Sequence, residues 1–76
     1  MNIYLIRRGN GTHPFYDANW GHVVQAESPN ETRRIAALAA ADEGGNAWYL
    51  ASTTVKKVGE SNAKKQSIIL TDYMAG

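Results

Sequence analysis

Cysteine is absent from this chain of 76 residues. Disulfide staples and thiolate metal sites are therefore excluded, and a reducing compartment such as cytoplasm is the expected setting. No apolar run reaches membrane-spanning length, and the opening MNIYLIRR is too short and too polar to read as a secretion signal. Charge of one sign is lacking too. The net charge of +1 suits neither a dedicated nucleic-acid binder nor an acidic DNA mimic. Histidine is confined to His13 and His22. A zinc site would have to recruit carboxylates such as Asp17, and no ligand spacing supports one. No metal or cofactor is expected.

Catalytic constellations are missing as well. Ser28 has a structural explanation, given below, and Ser52, Ser61 and Ser67 have no neighbouring base. Asp42 and Glu43 read as a solvated helix end. Gly9-Asn10-Gly11 follows a strand, but no helix begins after it, so it is a turn and not a phosphate cradle. A chain this small rarely encloses a substrate pocket, and no enzymatic activity is expected.

What is present specifies a fold. Residues 2–8 alternate Ile3, Leu5, Arg7 against Tyr4, Ile6, Arg8, the composition of a central strand with one face partly exposed. The stretch 12–20, THPFYDANW, is an irregular aromatic loop. Residues 21–27 form a second strand, with Val24 and Ala26 on one face and Val23 and Gln25 on the other. Ser28-Pro29-Asn30-Glu31 then reads as a capping box with proline at the first helical position. The helix should run to about Asp42, burying Ile35, Leu38 and Ala39 between Thr32 and Asp42, and should stop at Gly44-Gly45. Residues 47–50 are a short strand or a loop on the helix end. Residues 53–58 are a third strand, with a bulge or edge position indicated by Val55 and Val58. Residues 59–63 read as a hairpin loop, 66–71 as the last strand and 72–76 as a tail. The expected class is α+β: a single domain over residues 1–76, in which a four-stranded, mainly antiparallel sheet carries one α-helix on one face (β-β-α-β-β). Either the Ile3/Leu5 face or the Tyr4/Ile6 face lies under that helix. With no staple and no metal, a domain of this size favours a homodimer or a docking partner.

The eight lysines and arginines form four adjacent doublets: Arg7-Arg8, Arg33-Arg34, Lys56-Lys57 and Lys64-Lys65. Strand neighbours face opposite ways, so neither Arg7-Arg8 nor Lys56-Lys57 can serve one flat patch. Arg33 and Arg34 are expected to reach solvent together on the helix flank. The plain reading is solubility and edge protection. The functional reading is contact with phosphates or with an acidic protein surface. Phe15 and Trp48 suit the core. Tyr16, Trp20 and Tyr73 suit anchoring, although core or lid packing is the stronger reading of Trp20.

The strand IYLIRR, the VVQAES strand entering TRRIA, the turn ADEGGNAW, the strand TTVKKVG and the ending IILTDYMAG together resemble small bacteriophage proteins. The arrangement of strands around one helix is similar to that of small anti-CRISPR proteins. The resemblance implies a viral, non-enzymatic inhibitor in the host cytoplasm that binds a CRISPR effector and blocks its access to target DNA. The net charge implies steric or mixed-charge blocking. Partner-binding candidates are Arg7, Arg8, Tyr16, Trp20, Arg33 and Arg34. Two rival readings stand beside this one. A nucleic-acid binder would use Lys56, Lys57, Lys64 and Lys65 as a phosphate clamp on one hairpin. A sponge for nucleotide second messengers would need an oligomer.

Overall fold

The computed structural model describes residues 1–8, 18–39 and 46–74. Its elements are β1 (Asn2–Arg7), β2 (Ala18–Ala26), α1 (Pro29–Leu38), a 3-10 helix (Asn46–Tyr49), β3 (Thr54–Glu60) and β4 (Ser67–Met74). The four strands form one antiparallel sheet in the order β3-β1-β2-β4. The α+β class expected from the sequence is the observed one. The Gly9–Gly11 turn, the aromatic loop with Phe15 and Tyr16, and the glycine stop at 44–45 lie outside the described residues.

α1 covers the Tyr4/Ile6 face. Tyr4, Ile6, Val24, Ala26, Ala36 and Trp48 make the buried core, with Ile35, Val55 and Ile68 packed around it. The register explains the grouping: Tyr4 pairs with Val24, and Asn2 with Ala26. Directly paired residues share a face. Ser28 starts the helix in extended geometry, and its Oγ accepts the Glu31 amide at 3.1 Å. Glu31 does not complete the expected box. Its carboxylate turns to Arg34 and Gln66.

The buried helix stripe sits one turn earlier than expected. Thr32 and Ala36 are fully buried and Ile35 partly so, whereas Leu38 is 74% exposed and Ala39 is exposed. At about 100° per residue, Leu38 lies roughly 120° around the helix from Thr32. The helix ends at Leu38 and not near Asp42, with Ala39 as its cap. Thr32 is tolerated inside because its hydroxyl donates to the Ser28 carbonyl at 3.1 Å. Small residues at 32 and 36 let the helix approach the sheet closely.

The largest correction concerns the second half of the chain. Residues 59–63 are not a hairpin loop, because β3 and β4 occupy opposite edges of the sheet. Three strand spacings, about 14 Å, separate them. Residues 61–66 carry the chain across the sheet end. Ser61 exchanges backbone hydrogen bonds with Met1, and Gln66 takes the Glu27 amide at 2.9 Å while donating to Glu31 at 2.9 Å. β4 also runs further than expected, absorbing Asp72 to Met74 from the supposed tail. The bulge foreseen for the third strand is present, as a register shift opposite Ile3/Tyr4 on an edge strand. Residues 46–49 are a 3-10 helix, not a strand, and insert Trp48 into the core.

Candidate protein-docking face

No helix among the described residues lies on the sheet face opposite α1. Ile3, Leu5 and Arg7 of β1 lie on it, opposite Gln25, Val23 and Gly21 of β2. β4 adds Leu70 beside Val23 and Asp72 beside Gly21, and β3 adds Lys56 beside Leu5 and Thr54 beside Arg7. Apolar side chains thus occupy the middle, with charged and polar ones at the margin.

Gly21 lies between Arg7 and Asp72 and leaves a depression of about 220 Å³, walled by Leu5, Arg7, Gly21, Val23, Leu70 and Asp72. A Cβ at position 21 would stand 2.9 Å from the Ile6 carbonyl oxygen, so only glycine fits this approach. The volume falls below the roughly 300–1,000 Å³ typical of small-molecule sites. It suits one inserted side chain better than a nucleotide. Arg7 is exposed and Leu70 is 66% exposed, so the surface is open.

The doublets separate as strand geometry requires. Arg7 lies on the open face. Arg8 is half-buried on the other side, its guanidinium 5.7 Å from the Trp48 ring centroid. Trp48 also packs on buried His22, with ring centroids 5.0 Å apart, and His22 Nδ1 lies 2.9 Å from Thr71 Oγ1. Trp20 is half-buried at a register shift in β2, its carbonyl accepting the Arg8 amide at 3.0 Å. Tyr16 lies outside the described residues.

Only one arginine of the helix doublet reaches solvent as expected. Arg33 is half-buried and donates Nη1 to the Trp48 and Leu50 carbonyls at 2.8 and 3.2 Å and Nη2 to the Thr53 carbonyl at 2.8 Å. It braces the segment leading into β3. Arg34 is exposed and forms a two-pronged ion pair with Glu31 at 2.9 and 3.0 Å. The four lysines do not share a hairpin. Lys56 lies on the open face of β3. Lys57 faces the other way and pairs with Glu60 at 3.0 Å. Lys64 and Lys65 are exposed on the crossing segment. The single hairpin assumed for the nucleic-acid clamp is therefore not formed.

Sequence reasoning missed Leu70 and Asp72 as members of the face. The available signal was Thr71 and Tyr73, strand-forming residues that continue the β4 pattern past Leu70. Among the described residues no cluster of histidine, cysteine and carboxylate side chains could hold a metal ion. No helix among them is long and apolar enough to cross a membrane.

Glu31 provides a pH-dependent contribution. Hydrogen bonds from Arg34 and then Gln66, with the Arg34 charge, lower its carboxyl from an ordinary 4.5 to about 2. The unfolded chain therefore binds this proton more tightly than the folded one, and acid favours unfolding. The stability difference between the wild type and Glu31→Gln should be full above pH 4.5, shrink as pH falls from 4.5, and vanish near pH 2. Paired urea titrations across that range check it. A difference that stays constant throughout would refute the carboxylate's role.

No family model matches the chain, and comparison finds neither a curated relative nor a solved structure with significant likeness.

Proposed function

We propose that the chain is a non-enzymatic binding protein that docks on a protein partner through the open face of its sheet. The observation that carries this reading is the uncovered surface of Leu5, Val23 and Leu70, rimmed by Arg7, Lys56 and Asp72 and indented at Gly21. An apolar centre within a polar rim is the anatomy of a protein interface. Mixed charge favours a protein over nucleic acid, because Asp72 would repel a phosphate backbone beside Arg7.

The class of partner comes from the resemblance to small phage and anti-CRISPR proteins. The chain acts in the host bacterial cytoplasm by binding a CRISPR effector complex and obstructing its access to target DNA. Arg7 is the leading contact among the arginines. Arg33 is engaged internally, and Arg8 lies against Trp48.

The test uses purified protein, reconstituted CRISPR effector complexes and a DNA-cleavage readout with nuclease-resistant co-elution. The wild type should suppress cleavage by one effector type and co-elute with it. Arg7→Glu should weaken the complex on the order of tenfold or more, since a reversed charge at an interface costs several kcal/mol, with little change in melting temperature. Absence of inhibition across effector types would overturn the CRISPR assignment. Capture of nucleic acid alone, lost in salt or nuclease, would overturn protein docking.

A further inference from the structure

The two edges of the sheet are built differently. β3 carries Lys56 and Lys57, has an irregular register against β1, and ties Lys57 to Glu60 at 3.0 Å. Lysines and bulges of this kind discourage a further strand. β4 has neither lysine nor proline over its eight residues, and Asp72 is its one charge. Its outer side has no strand partner among the described residues. A register shift leaves Ile69 as the extra residue between the Val23–Leu70 and Val24–Ile68 pairs. Ile69 is 51% exposed and Leu70 66% exposed. Exposed apolar side chains on an unprotected edge are a template for strand addition.

We propose that a second copy of this chain occupies that edge, with two β4 strands paired antiparallel about a two-fold axis. Self-complementarity favours a second copy over another strand. When Ser67 stands opposite Leu70 of the copy, Ile68 stands opposite Ile69 of the copy, and Lys65, exposed at the bend two residues before β4, comes to the end of the pair that carries the copy's Asp72. The symmetry repeats each pair at the other end. Apolar residues then meet in the middle and opposite charges meet at both ends, the favourable cross-strand combinations. Ser67 and Leu70 both lie on the open face, opposite Gln25 and Val23. The join therefore continues the open face of one protomer into that of its partner. A chain of 76 residues with no disulfide to staple it is near the size at which domains commonly rely on a partner.

This pairing uses the β4 edge, whereas the docking test alters Arg7 on β1, so either reading can fail alone. The experiment is sedimentation velocity on the full chain at micromolar to near-millimolar concentration. The wild type should sediment as a dimer. Asp72→Lys puts like charges opposite each other at both ends and should weaken the dimer on the order of tenfold or more. Adding Lys65→Asp to that variant reverses both pairs and should restore wild-type affinity. Both positions are exposed, and circular dichroism checks that the variants fold. Ile69→Lys, which imitates the protected β3 edge, should also give monomer and serves as the second variant if Asp72→Lys does not fold. A wild type that stays monomeric, a dimer insensitive to both Asp72→Lys and Ile69→Lys, or a charge swap without rescue would each overturn the proposal.

Discussion

Trp48→Ala should abolish cooperative folding or lower the melting temperature by more than about 12 °C. Trp48 is fully buried and is the largest side chain in the core formed by the described residues. It closes the space between the sheet and the segment entering β3. His22 packs on its ring at 5.0 Å, and the Arg8 guanidinium lies 5.7 Å from its centroid. Truncating a buried tryptophan costs about 3–5 kcal/mol, and each kcal/mol moves the melting temperature of a domain this small by about 4–8 °C. Total stability for such a chain is on the order of 5–10 kcal/mol, so the loss consumes much of the margin. Trp48→Phe should be far milder, at about 1–2 kcal/mol, because it keeps an aromatic ring and leaves a smaller void. The Trp48 indole nitrogen has no hydrogen-bond partner among the described residues, so no bond among them is lost with it. Thermal unfolding followed by circular dichroism separates the two variants. An alanine variant melting within a few degrees of the wild type would show that Trp48 does not hold the core together.

Much of this architecture was legible locally. Strands β1 and β2 announce themselves by period-two alternation, and Ser28-Pro29 marks the start of α1 by cap chemistry. Such signals depend on neighbours in the chain. The order of strands across the sheet does not. Gly59-Glu60-Ser61-Asn62-Ala63 has hairpin composition, yet β1 and β2 already fill the centre of the sheet. β3 and β4 are left to pair outward, one on each side. The expectation that Lys56, Lys57, Lys64 and Lys65 share one hairpin failed for that reason. The helix stripe was misplaced because spacing alone fits both Ile35-Leu38-Ala39 and Thr32-Ile35-Ala36, and the position of the sheet under the helix decides between them. The open face was partly legible. Its Leu5 and Val23 follow from alternation, and an open second face follows from expecting one α-helix over a four-stranded sheet. Leu70 and Asp72 join it only because β4 extends to Met74 and runs beside β2.

Arg33 shows how a side-chain role can be invisible in the sequence, and its replacement should have the second-largest effect. Beside Arg34 it looks like half of a solvated pair. In the fold its guanidinium gathers the carbonyls of Trp48, Leu50 and Thr53, which lie 15 to 20 residues away in the chain. The Trp48 carbonyl belongs to the end of the 3-10 helix, where carbonyls lack partners within the helix. One planar fork with several donors satisfies all three acceptors. Hydrogen bonds from a charged group contribute about 1.5–3 kcal/mol each, and water can replace the exposed one at Leu50, so Arg33→Ala should cost about 2–4 kcal/mol. Arg33→Lys should recover only part of this, because an ammonium cannot present the same fork. Arg34→Ala removes an exposed ion pair with Glu31, the chief source of that carboxylate's contribution, and should lower stability only slightly, clearly less than Arg33→Ala. Urea unfolding ranks the three variants, and acrylamide quenching of tryptophan fluorescence shows whether the Trp48 segment has loosened. The brace predicts stronger quenching in Arg33→Ala than in Arg34→Ala under native conditions. Equal stability and equal quenching in the two alanine variants would return Arg33 to the solvated flank and restore it as a candidate for partner contact.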